Sequence, residues 1–328
     1  MKLATLYSEH VDGRLVVVSR DLRTMADVSA IAPHLSAALA QWDGVAPALQ
    51  QLYEALNAGE CAQAQPFDAL QCGAPLPRAP QWCDGSAFLN HGRLMEKAFN
   101  TAPQPDALTV PLMYQGASDD FLGPHADIAL PSEADGIDFE GEFGVVVGAV
   151  PMGATPAQAL GAVRLLVQIN DWSLRALGPR EMRSGFGFLQ AKPSSSFAPI
   201  ALTPDELGPA WRDGRVQMRL QVEWNGEHFG APHGGEMNFS FGELIAHAAR
   251  TRRLSAGTVI GSGTVSNVDR AAGSACIAER RVLEILDHGE ARTRFMRFGD
   301  SVRMRALFDG SDEAPFGSIA QRVVEHRP

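Results

Sequence analysis

The sequence predicts an α+β protein that is rich in β-strands, with a mixed or antiparallel β core and peripheral helices. Apolar and polar residues alternate in several short stretches, as in half-buried strands, most clearly at residues 216–224 and 302–308. Asn225-Gly226 directly follows the first of these stretches and predicts a type I′ hairpin turn. The strands and the few helical patterns follow no regular βαβ order, which argues against a parallel sheet covered by helices on both faces.

The N-terminal region is predicted to be a small domain of residues 1–72. Residues 2–7 and 15–18 are predicted to form a β-hairpin, with its turn near Asp12-Gly13. An alanine-rich segment, roughly residues 26–56, carries apolar residues at helical spacing and is predicted to be helical. Several prolines follow in residues 73–80, and we expect this stretch to lead into a larger domain of residues 73–328.

Two helix starts in the larger domain have local signals. Thr155-Pro156 combines a capping residue with a proline at the first helical position. The buried stripe of that helix would consist of Leu160, Val163 and Val167. Ser240 and Glu243 have the spacing of a capping box ahead of an apolar run, which predicts a second helix there.

The composition argues against several classes of protein. The net charge is −10 and basic residues form no cluster, which argues against binding to nucleic acid or to an anionic membrane surface. No apolar run approaches the roughly 20 residues that a membrane span needs. The first residues lack the pattern of an export signal, so we expect a cytoplasmic protein. The four cysteines show no Cys-x-x-Cys pairing, and we expect them to be reduced thiols.

The strongest functional signal is a pair of glutamates, Glu140 and Glu142, at the start of an apolar run that is typical of a buried strand. Strand side chains alternate between faces, so both carboxylates are expected on the same face. Two carboxylates on one face repel each other unless a cation lies between them, and a hard divalent cation suits oxygen ligands. Asp171 follows about thirty residues later and offers a third carboxylate ligand.

A second group of candidates is Asp84 and His91. Asp84 is expected in a loop or cap ahead of a short helix, and His91 follows seven residues later, two turns along an unbroken helix. An aspartate ligand and a histidine base could therefore share one cleft. Taken singly, an aspartate in this position is more often an N-cap, and such a histidine is more often packed in the core.

A third group contains residues that would suit an anionic substrate. If Asp171 began a helix, Arg175 would lie one turn further on, and Lys192 follows later. A surface ion pair and an exposed lysine are the ordinary alternatives. The Gly261-Ser-Gly-Thr264 turn could present hydroxyl and N–H groups to an oxyanion, or could be only a turn at a strand end. Glu279 could be an edge carboxylate or the partner of a histidine.

Together and in this order, these residues resemble the fumarylacetoacetase family, in the bacterial form with a small N-terminal domain. The resemblance runs from about Trp82 to Arg305. It implies a catalytic domain built as a mixed β-sheet sandwich or roll. The metal ligands that it implies are Asp84, Glu140, Glu142 and Asp171. The other site residues that it implies are His91, Glu279 and Lys192 for catalysis and Arg175, Tyr114 and Thr264 for substrate binding.

The resemblance also implies a reaction, the hydrolysis of a carbon–carbon bond in a 2,4-diketo acid. Fumarylacetoacetate, split into fumarate and acetoacetate in tyrosine and phenylalanine catabolism, is the first expected substrate. The metal would be Mg²⁺ or Ca²⁺, with Mn²⁺ as a substitute, because all ligands are oxygens. His91, oriented by Glu279, would take a proton from water, and Lys192 would stabilise oxyanion charge together with Thr264. The family implies a homodimer.

Three departures from the animal enzymes concern the substrate and the base. Ser86 replaces a tyrosine, Gly178 replaces a glutamine, and Glu279 lies two residues from the aligned position of the histidine-orienting glutamate. An isomerase, an oxaloacetate-type decarboxylase and an acylpyruvate hydrolase of the same fold therefore remain alternatives. A non-catalytic ligand-binding or metal-binding protein is a third hypothesis.

Overall fold

The computed structural model describes residues 1–99, 102 and 105–327, which form twenty strands and seven α-helices. The strands are β1 (Lys2–Leu6), β2 (Arg14–Val18), β3 (Thr24–Asp27), β4 (Gln65–Pro66), β5 (Trp82–Gly85), β6 (Met113–Gly116), β7 (Ile128–Leu130), β8 (Ile137–Asp138), β9 (Gly141–Val147), β10 (Val163–Asn170), β11 (Ser173–Leu174), β12 (Ser196–Phe197), β13 (Ala201–Leu202), β14 (Trp211–Arg212), β15 (Arg215–Val216), β16 (Arg219–Trp224), β17 (Glu227–Gly230), β18 (Val259–Gly261), β19 (Ser301–Leu307) and β20 (Ile319–Glu325). The helices are α1 (Leu35–Ala40), α2 (Trp42–Ala58), α3 (Leu89–Phe99), α4 (Pro156–Leu160), α5 (Gly178–Ser184), α6 (Phe241–Ala248) and α7 (Ile277–His288).

Two mixed sheets carry most of these strands. In the larger one the order is β4-β3-β2-β1-β13-β10-β9-β18-β5-β6, and β12 also pairs with β10. Its neighbours are antiparallel except β18 and β5, which run parallel. The second sheet has the order β17-β16-β19-β20-β7, with β20 and β7 parallel. The β-rich α+β class with mixed sheets, predicted from the sequence, is confirmed.

The core has two parts because the side chains of the large sheet alternate between its faces. Val145 and Val147 of β9 lie in one buried cluster with residues of the second sheet such as Leu220 and Met304. Val146 lies in the other cluster, on the opposite face, with residues of α1 and α2. The large sheet is thus covered by the second sheet on one face and by helices of the N-terminal region on the other.

The N-terminal hairpin is part of the large sheet. β1 pairs with β2 as predicted, and Lys2 also pairs with Leu202 of β13. One sheet therefore runs through both predicted domains, and the division at residue 72 stays a prediction. Within the described residues, no helix is long and apolar enough to cross a membrane.

Local signals predicted element ends well. Ser240 forms the expected capping box with Glu243. Thr155 is the expected N-cap ahead of Pro156, and it also forms a capping box with Gln158. Asn225 and Gly226 have φ angles of 53° and 82° between β16 and β17, which fits the predicted hairpin turn. The four cysteines are unpaired, as expected.

Two predicted helices are wrong. Residues 26–56 contain the end of β3, a loop, and the helices α1 and α2, so the alanine-rich stretch is not one helix. The helix that begins at Pro156 ends at Leu160, and Val163 and Val167 belong to β10. Strand β10 is buried on both faces, and its apolar run has no period that would distinguish a strand from a helix.

Candidate active site

The candidate site lies where the ends of five neighbouring strands meet at one edge of the large sheet. Asp84 is near the C-terminal end of β5, beside Gly261 of β18 and opposite Tyr114 of β6. Glu142 is at the N-terminal end of β9, and Asp171 directly follows β10, its antiparallel partner. The sequence separates these residues widely, and only the sheet order brings them together.

Three carboxylates converge at this edge. Ligand oxygens of Asp84, Glu142 and Asp171 lie within 4.8 Å of one another, and all three residues are buried. Neither carboxylate oxygen of Glu142 has a hydrogen-bond partner among the described residues. Burial and the neighbouring Asp171 carboxylate raise the pKa of Asp84 to about 8. Burial, followed by the charges of Asp84 and Asp171, raises the pKa of Glu142 well above its usual range.

These properties fit a divalent cation. Buried carboxylates are normally paired or bound to a metal, because an unpaired buried charge is costly. The oxygen-only donor set suits Mg²⁺, Ca²⁺ or Mn²⁺. Asp84 also accepts the N–H of Gly263 at 3.1 Å, which helps to fix its orientation. A Cβ atom at Gly261 would collide with Asp84 and Trp82, so glycine is needed for β5 and β18 to approach here.

Glu140 lies beside this cluster but has its own cations. Its carboxylate accepts hydrogen bonds from Arg175 Nη2 and Lys192 Nζ, each at 2.5 Å. Burial would raise the pKa of Glu140, but Arg175 and Lys192 outweigh burial and hold it below its usual range. Lys192 also donates to Asp171 Oδ2 at 2.6 Å and so connects Glu140 to the three converging carboxylates. Of the four predicted ligands, the structure therefore brings three together. Glu140 lies outside this group and is connected to it through Lys192.

His91 and Glu279 form a buried pair. His91 Nδ1 lies 3.0 Å from Glu279 Oε2, and the two side chains are 11% and 2% exposed. An ionised carboxylate only accepts hydrogen bonds, so Nδ1 donates and Nε2 of the neutral imidazole keeps its lone pair. Glu279 comes from the first turn of α7 and His91 from the first turn of α3.

The local structure around two of these residues differs from the prediction. Asp84 lies in β5 rather than at a helix cap, and α3 begins only at Leu89. Residues 173–174 after Asp171 form β11, so Arg175 is not one helical turn further on. Arg175 nevertheless reaches Glu140, because β11 pairs with β8 and returns the chain to the strand that precedes Glu140.

The remaining predicted site residues also lie at this edge. The Tyr114 hydroxyl donates to Asp171 Oδ2 at 2.7 Å, and Thr264 is buried in the loop after β18, next to Gly263. Burial raises the pKa of Tyr114 well above its usual range, and Asp171 adds to the effect. Of the two positions at which the sequence departs from the resemblance, Ser86 directly follows β5, and Gly178 is the first residue of α5.

Sequence reasoning missed two buried polar residues. The Ser195 hydroxyl donates to Asp171 Oδ1 at 2.7 Å. Asp138 binds Arg175 and the N-terminus of α7. Asp138 precedes Glu140 by two residues in a strand-like stretch, so the same alternation that paired the glutamates could have indicated it. Ser195 carries no comparable signal, because a serine in Ser194-Ser195-Ser196 is typical of an ordinary loop.

Another cluster of possible metal ligands, His10, Asp12 and His34, lies at the N-terminal hairpin. Its ligand atoms are already engaged. Both Asp12 oxygens accept from Arg78, at 2.9 and 3.0 Å. Nδ1 of each histidine accepts a backbone N–H, from Asp12 and from Ala37. His91, Glu140 and Cys276 form a third such group, but Glu279 binds His91, and Arg175 and Lys192 bind Glu140. The three carboxylates around Glu142 are therefore the better candidate for a metal centre.

A buried carboxylate cluster beside a histidine–glutamate pair is the side-chain set of an acid–base active site. Comparison with known proteins agrees with this class. Residues 81–324 match the fumarylacetoacetate (FAA) hydrolase C-terminal domain, and residues 1–78 match fumarylacetoacetase N-terminal domain 2. The chain belongs to the fumarylacetoacetate hydrolase family, which confirms the family and the fold implied by the sequence motifs.

Individual relatives differ in the reactions for which they are named. The chain is 29% identical over 163 residues to 2,4-didehydro-3-deoxy-L-rhamnonate hydrolase of Sphingomonas sp. (strain SKA58), covering 49% of this chain and 54% of the relative. It is 25% identical over 161 residues to the mitochondrial oxaloacetate tautomerase Fahd2a of Rattus norvegicus, covering 48% and 49%. The matches thus span about half the length of these curated relatives.

A solved structure supports the fold over the whole chain. Maleylpyruvate hydrolase from Sphingobium sp. SYK-6, in complex with a manganese(II) ion and pyruvate, superposes with a TM-score of 0.66 at 17% identity, covering 100% of both chains. The proteins similar to this chain are hydrolases, isomerases and a tautomerase. This range establishes a family of related chemistries but not one substrate.

Proposed function

We propose that this protein is a metal-dependent hydrolase that cleaves a carbon–carbon bond in a 2,4-diketo acid, with fumarylacetoacetate as the first candidate substrate. The observation that carries the proposal is the His91–Glu279 pair beside three converging carboxylates. The pair provides a base for water and the carboxylates provide a cation site, and a metal-assisted hydrolysis of a diketone uses both. The hydrolases among the relatives of this chain add support.

The residues that would hold the metal are Asp84, Glu142 and Asp171, with Glu140 as the fourth ligand. Bound there, a divalent cation supplies a Lewis acid that polarises substrate oxygens and balances their negative charge. The choice among Mg²⁺, Ca²⁺ and Mn²⁺ is open. All three accept an oxygen-only donor set, and the manganese-containing maleylpyruvate hydrolase favours testing Mn²⁺ alongside Mg²⁺.

His91 is proposed to take the proton from the attacking water. The Glu279 carboxylate fixes the tautomer that leaves Nε2 free, and it stabilises the imidazolium that forms when Nε2 accepts the proton. The same imidazolium can return the proton to the carbon of the leaving group after the bond breaks. The side chain of His91 is 11% exposed and that of Glu279 only 2%, so His91 is the more solvent-accessible member of the pair.

Lys192, Tyr114 and Arg175 are proposed to handle the charge of the substrate. Lys192 keeps its proton because the Asp171 and Glu140 carboxylates outweigh the effect of burial, which would lower its pKa. The Lys192 ammonium and the Tyr114 hydroxyl both contact Asp171 and can donate to oxyanions there. Thr264, buried in the loop after β18, offers a further hydroxyl. Arg175 has Nε and Nη2 bound by Asp138 and Glu140, so its substrate contact would use the remaining guanidinium N–H groups.

Tautomerisation or isomerisation of an oxaloacetate-like acid is the second candidate. It is favoured by the similarity to the rat oxaloacetate tautomerase. Such a reaction needs a base and stabilisation of an enolate but no attacking water, so the same side chains could serve it. Decarboxylation of oxaloacetate and hydrolysis of an acylpyruvate would use the same groups, and the experiment described next also distinguishes these reactions.

The experiment is product identification by ¹H NMR with fumarylacetoacetate, an acylpyruvate and oxaloacetate, each with Mg²⁺, with Mn²⁺ and with EDTA. We expect metal-dependent formation of fumarate and acetoacetate, and a loss of at least about 100-fold in rate for His91→Gln. The matched control is His288→Gln, which alters an exposed histidine at the end of α7 and should retain the rate. Turnover of oxaloacetate alone would move the assignment to the second candidate, and wild-type rates in His91→Gln would remove His91 from the mechanism.

A further inference from the structure

Asp138 occupies a position between the two halves of the candidate site. It is fully buried in β8, two residues before Glu140. Its Oδ1 accepts the backbone N–H of Ile277 at 2.7 Å, and its Oδ2 accepts the N–H of Ala278 at 2.9 Å and Nε–H of Arg175 at 2.8 Å. Oδ1 therefore binds α7 alone, whereas Oδ2 binds both α7 and Arg175.

The two N–H groups belong to the first turn of α7. The first N–H groups of a helix have no partner within the helix, so a buried helix start needs acceptors from elsewhere. Asp138 supplies them for the first two residues of α7, and Cys276 Sγ accepts the third, the N–H of Glu279, at 3.3 Å. The carboxylate also carries the negative charge that the helix dipole favours at this end.

Glu279 is on this same turn, and its side chain holds His91. In the other direction, Arg175 continues from Asp138 to Glu140, and Lys192 continues from Glu140 to Asp171. An unbroken series of charge-assisted hydrogen bonds therefore connects the first turn of α7, which carries Glu279, to the carboxylates proposed to hold the metal. Hydrogen bonds of this kind are short and directional, so they transmit position well.

We propose that Asp138 is a positioning residue that sets His91 and Glu279 relative to the carboxylate cluster by anchoring the first turn of α7 and Arg175 on one side chain. This inference rests on the proposed function, in which His91 is the base. Asp138 itself contacts neither the proton acceptor nor the converging oxygens of Asp84, Glu142 and Asp171. Its effect is on geometry, and a displacement of about 1 Å in a base can cost about 100-fold in rate.

Asp138→Asn is the direct test, because the amide has nearly the same shape but only one acceptor oxygen. Its NH₂ group must face either the Ile277 N–H or both the Ala278 N–H and Arg175 Nε–H, which are all donors. We expect kcat to fall by about 10–100-fold, with KM and the Mn²⁺ dissociation constant changed by less than about threefold. The matched control is Ser240→Ala, which removes the N-cap hydroxyl of α6; among the described residues this hydroxyl bonds only Glu243. It should lower the melting temperature with kcat unchanged.

A readout that does not depend on turnover separates this inference from the proposed function. The Nδ1–H proton of His91 can be observed by NMR, assigned through its loss in His91→Gln, and should be deshielded by the bond to Glu279. In Asp138→Asn it should shift upfield or be lost to exchange, as in Glu279→Gln. If the wild type hydrolyses no diketo acid, the proposed function fails, and this resonance still decides the role of Asp138. An unchanged resonance, or a fall in stability with kcat retained as in Ser240→Ala, would reduce Asp138 to a helix cap.

A second pair of variants covers the case in which Asp138→Asn does not fold. Cys276→Ser keeps an acceptor for the Glu279 N–H, since hydroxyls are good N-caps, and Cys276→Ala removes it. We expect the His91 resonance to be retained in the serine variant and shifted in the alanine variant, with kcat following the same order. Equal resonances in the two variants would show that the first turn of α7 does not position Glu279 against His91.

Discussion

Among the site residues, Glu142 has the surroundings that most strongly indicate a bound cation. Its neighbours Asp138, Glu140 and Asp171 each receive hydrogen bonds from cationic side chains, whereas neither Glu142 oxygen has a partner among the described residues. Two further carboxyl groups, those of Asp84 and Asp171, lie close to it. A buried carboxyl group placed in this way destabilises the metal-free protein and is well placed to bind a metal ion.

Glu142→Gln should therefore have opposite effects on stability and on metal affinity. A buried glutamate with a raised pKa costs stability at neutral pH, because on folding it must either bind a proton or stay charged beside Asp84 and Asp171. Its replacement by glutamine should therefore raise the melting temperature in EDTA, by an amount on the order of 1 kcal/mol in the free energy of unfolding. The Mn²⁺ dissociation constant should rise by at least about 100-fold, since a neutral amide is a poor substitute for a carboxylate ligand. Isothermal titration calorimetry measures the Mn²⁺ dissociation constant, and thermal unfolding in EDTA measures the melting temperature. Glu227→Gln, on the exposed edge of β17, is the control, and unchanged Mn²⁺ affinity in Glu142→Gln would contradict its role as a ligand.

Asp300 gives a prediction about pH that is independent of the site. It accepts hydrogen bonds from Arg294 Nη2 and Asn225 Nδ2, each at 2.9 Å, and from the Arg297 N–H at 2.8 Å. Burial would raise the pKa of Asp300, but the bonds from Arg294 and Asn225 outweigh burial and lower it from 3.8 to about 2. Because the folded pKa is the lower one, the stabilisation is present above pH 3.8 and is lost as the pH falls towards 2.

Asp300→Asn should then cost roughly 1 kcal/mol at pH 6, after allowance for the partial exposure of Arg294. The difference from wild type should narrow at pH 3, because Asp300 is then largely protonated in the unfolded chain but still mostly ionised in the folded one. Urea unfolding at the two pH values measures it, with the exposed Asp312→Asn as control. A difference of the same size at pH 6 and pH 3 would rule out a contribution from the ionised carboxylate.

At the level of elements, the sequence predicted best where a few adjacent residues decide the structure. The N-cap at Thr155, the capping box at Ser240 and the Asn225-Gly226 turn are local, and the structure has all three. The helices expected over β10 and at Asp171 were wrong, because pairing with β9 and with β8 decides those segments and a single segment does not reveal its partners.

The candidate site shows the same division. The Glu140 and Glu142 pair could be found from strand alternation, and the family motifs supplied Asp84, His91 and Asp171. The contact between His91 and Glu279 joins residues 188 positions apart, so the family resemblance could imply it but the local sequence could not. Strand alternation could have placed Asp138 on the face of the glutamates, but its partners on α7 and the contact of Ser195 with Asp171 depend on the fold.

Two glycines in different elements should respond to alanine in opposite directions. Gly226 has a φ of +82° in the β16–β17 turn, where a Cβ atom is strained. Gly226→Ala should destabilise the protein by about 1 kcal/mol. Gly44 lies in α2, and a Cβ atom added there would meet no other atom within 4 Å, so Gly44→Ala should stabilise by about 0.5–1 kcal/mol. Chemical denaturation of both variants tests the pair, and destabilisation by Gly44→Ala would contradict the reasoning for α2.

Across the whole molecule, the order of strands in one large sheet makes the site possible. β10, β9, β18, β5 and β6 are neighbours in the sheet, and their ends deliver the carboxylates and Tyr114 to one edge. Helices α3 and α7 add the histidine and glutamate from outside the sheet. The hairpin of the N-terminal region continues the same sheet, so the site rests on a scaffold to which both family-matched regions contribute.

The central claim is that this edge of the sheet holds a divalent metal and hydrolyses a diketo acid. The most direct measurement follows the ultraviolet absorbance of fumarylacetoacetate over time, with the protein and Mg²⁺ or Mn²⁺, and with the protein and EDTA. We predict decay to fumarate and acetoacetate that depends on the metal and is abolished by EDTA. Undiminished decay in EDTA, or no decay by a protein shown to bind the metal, would contradict it.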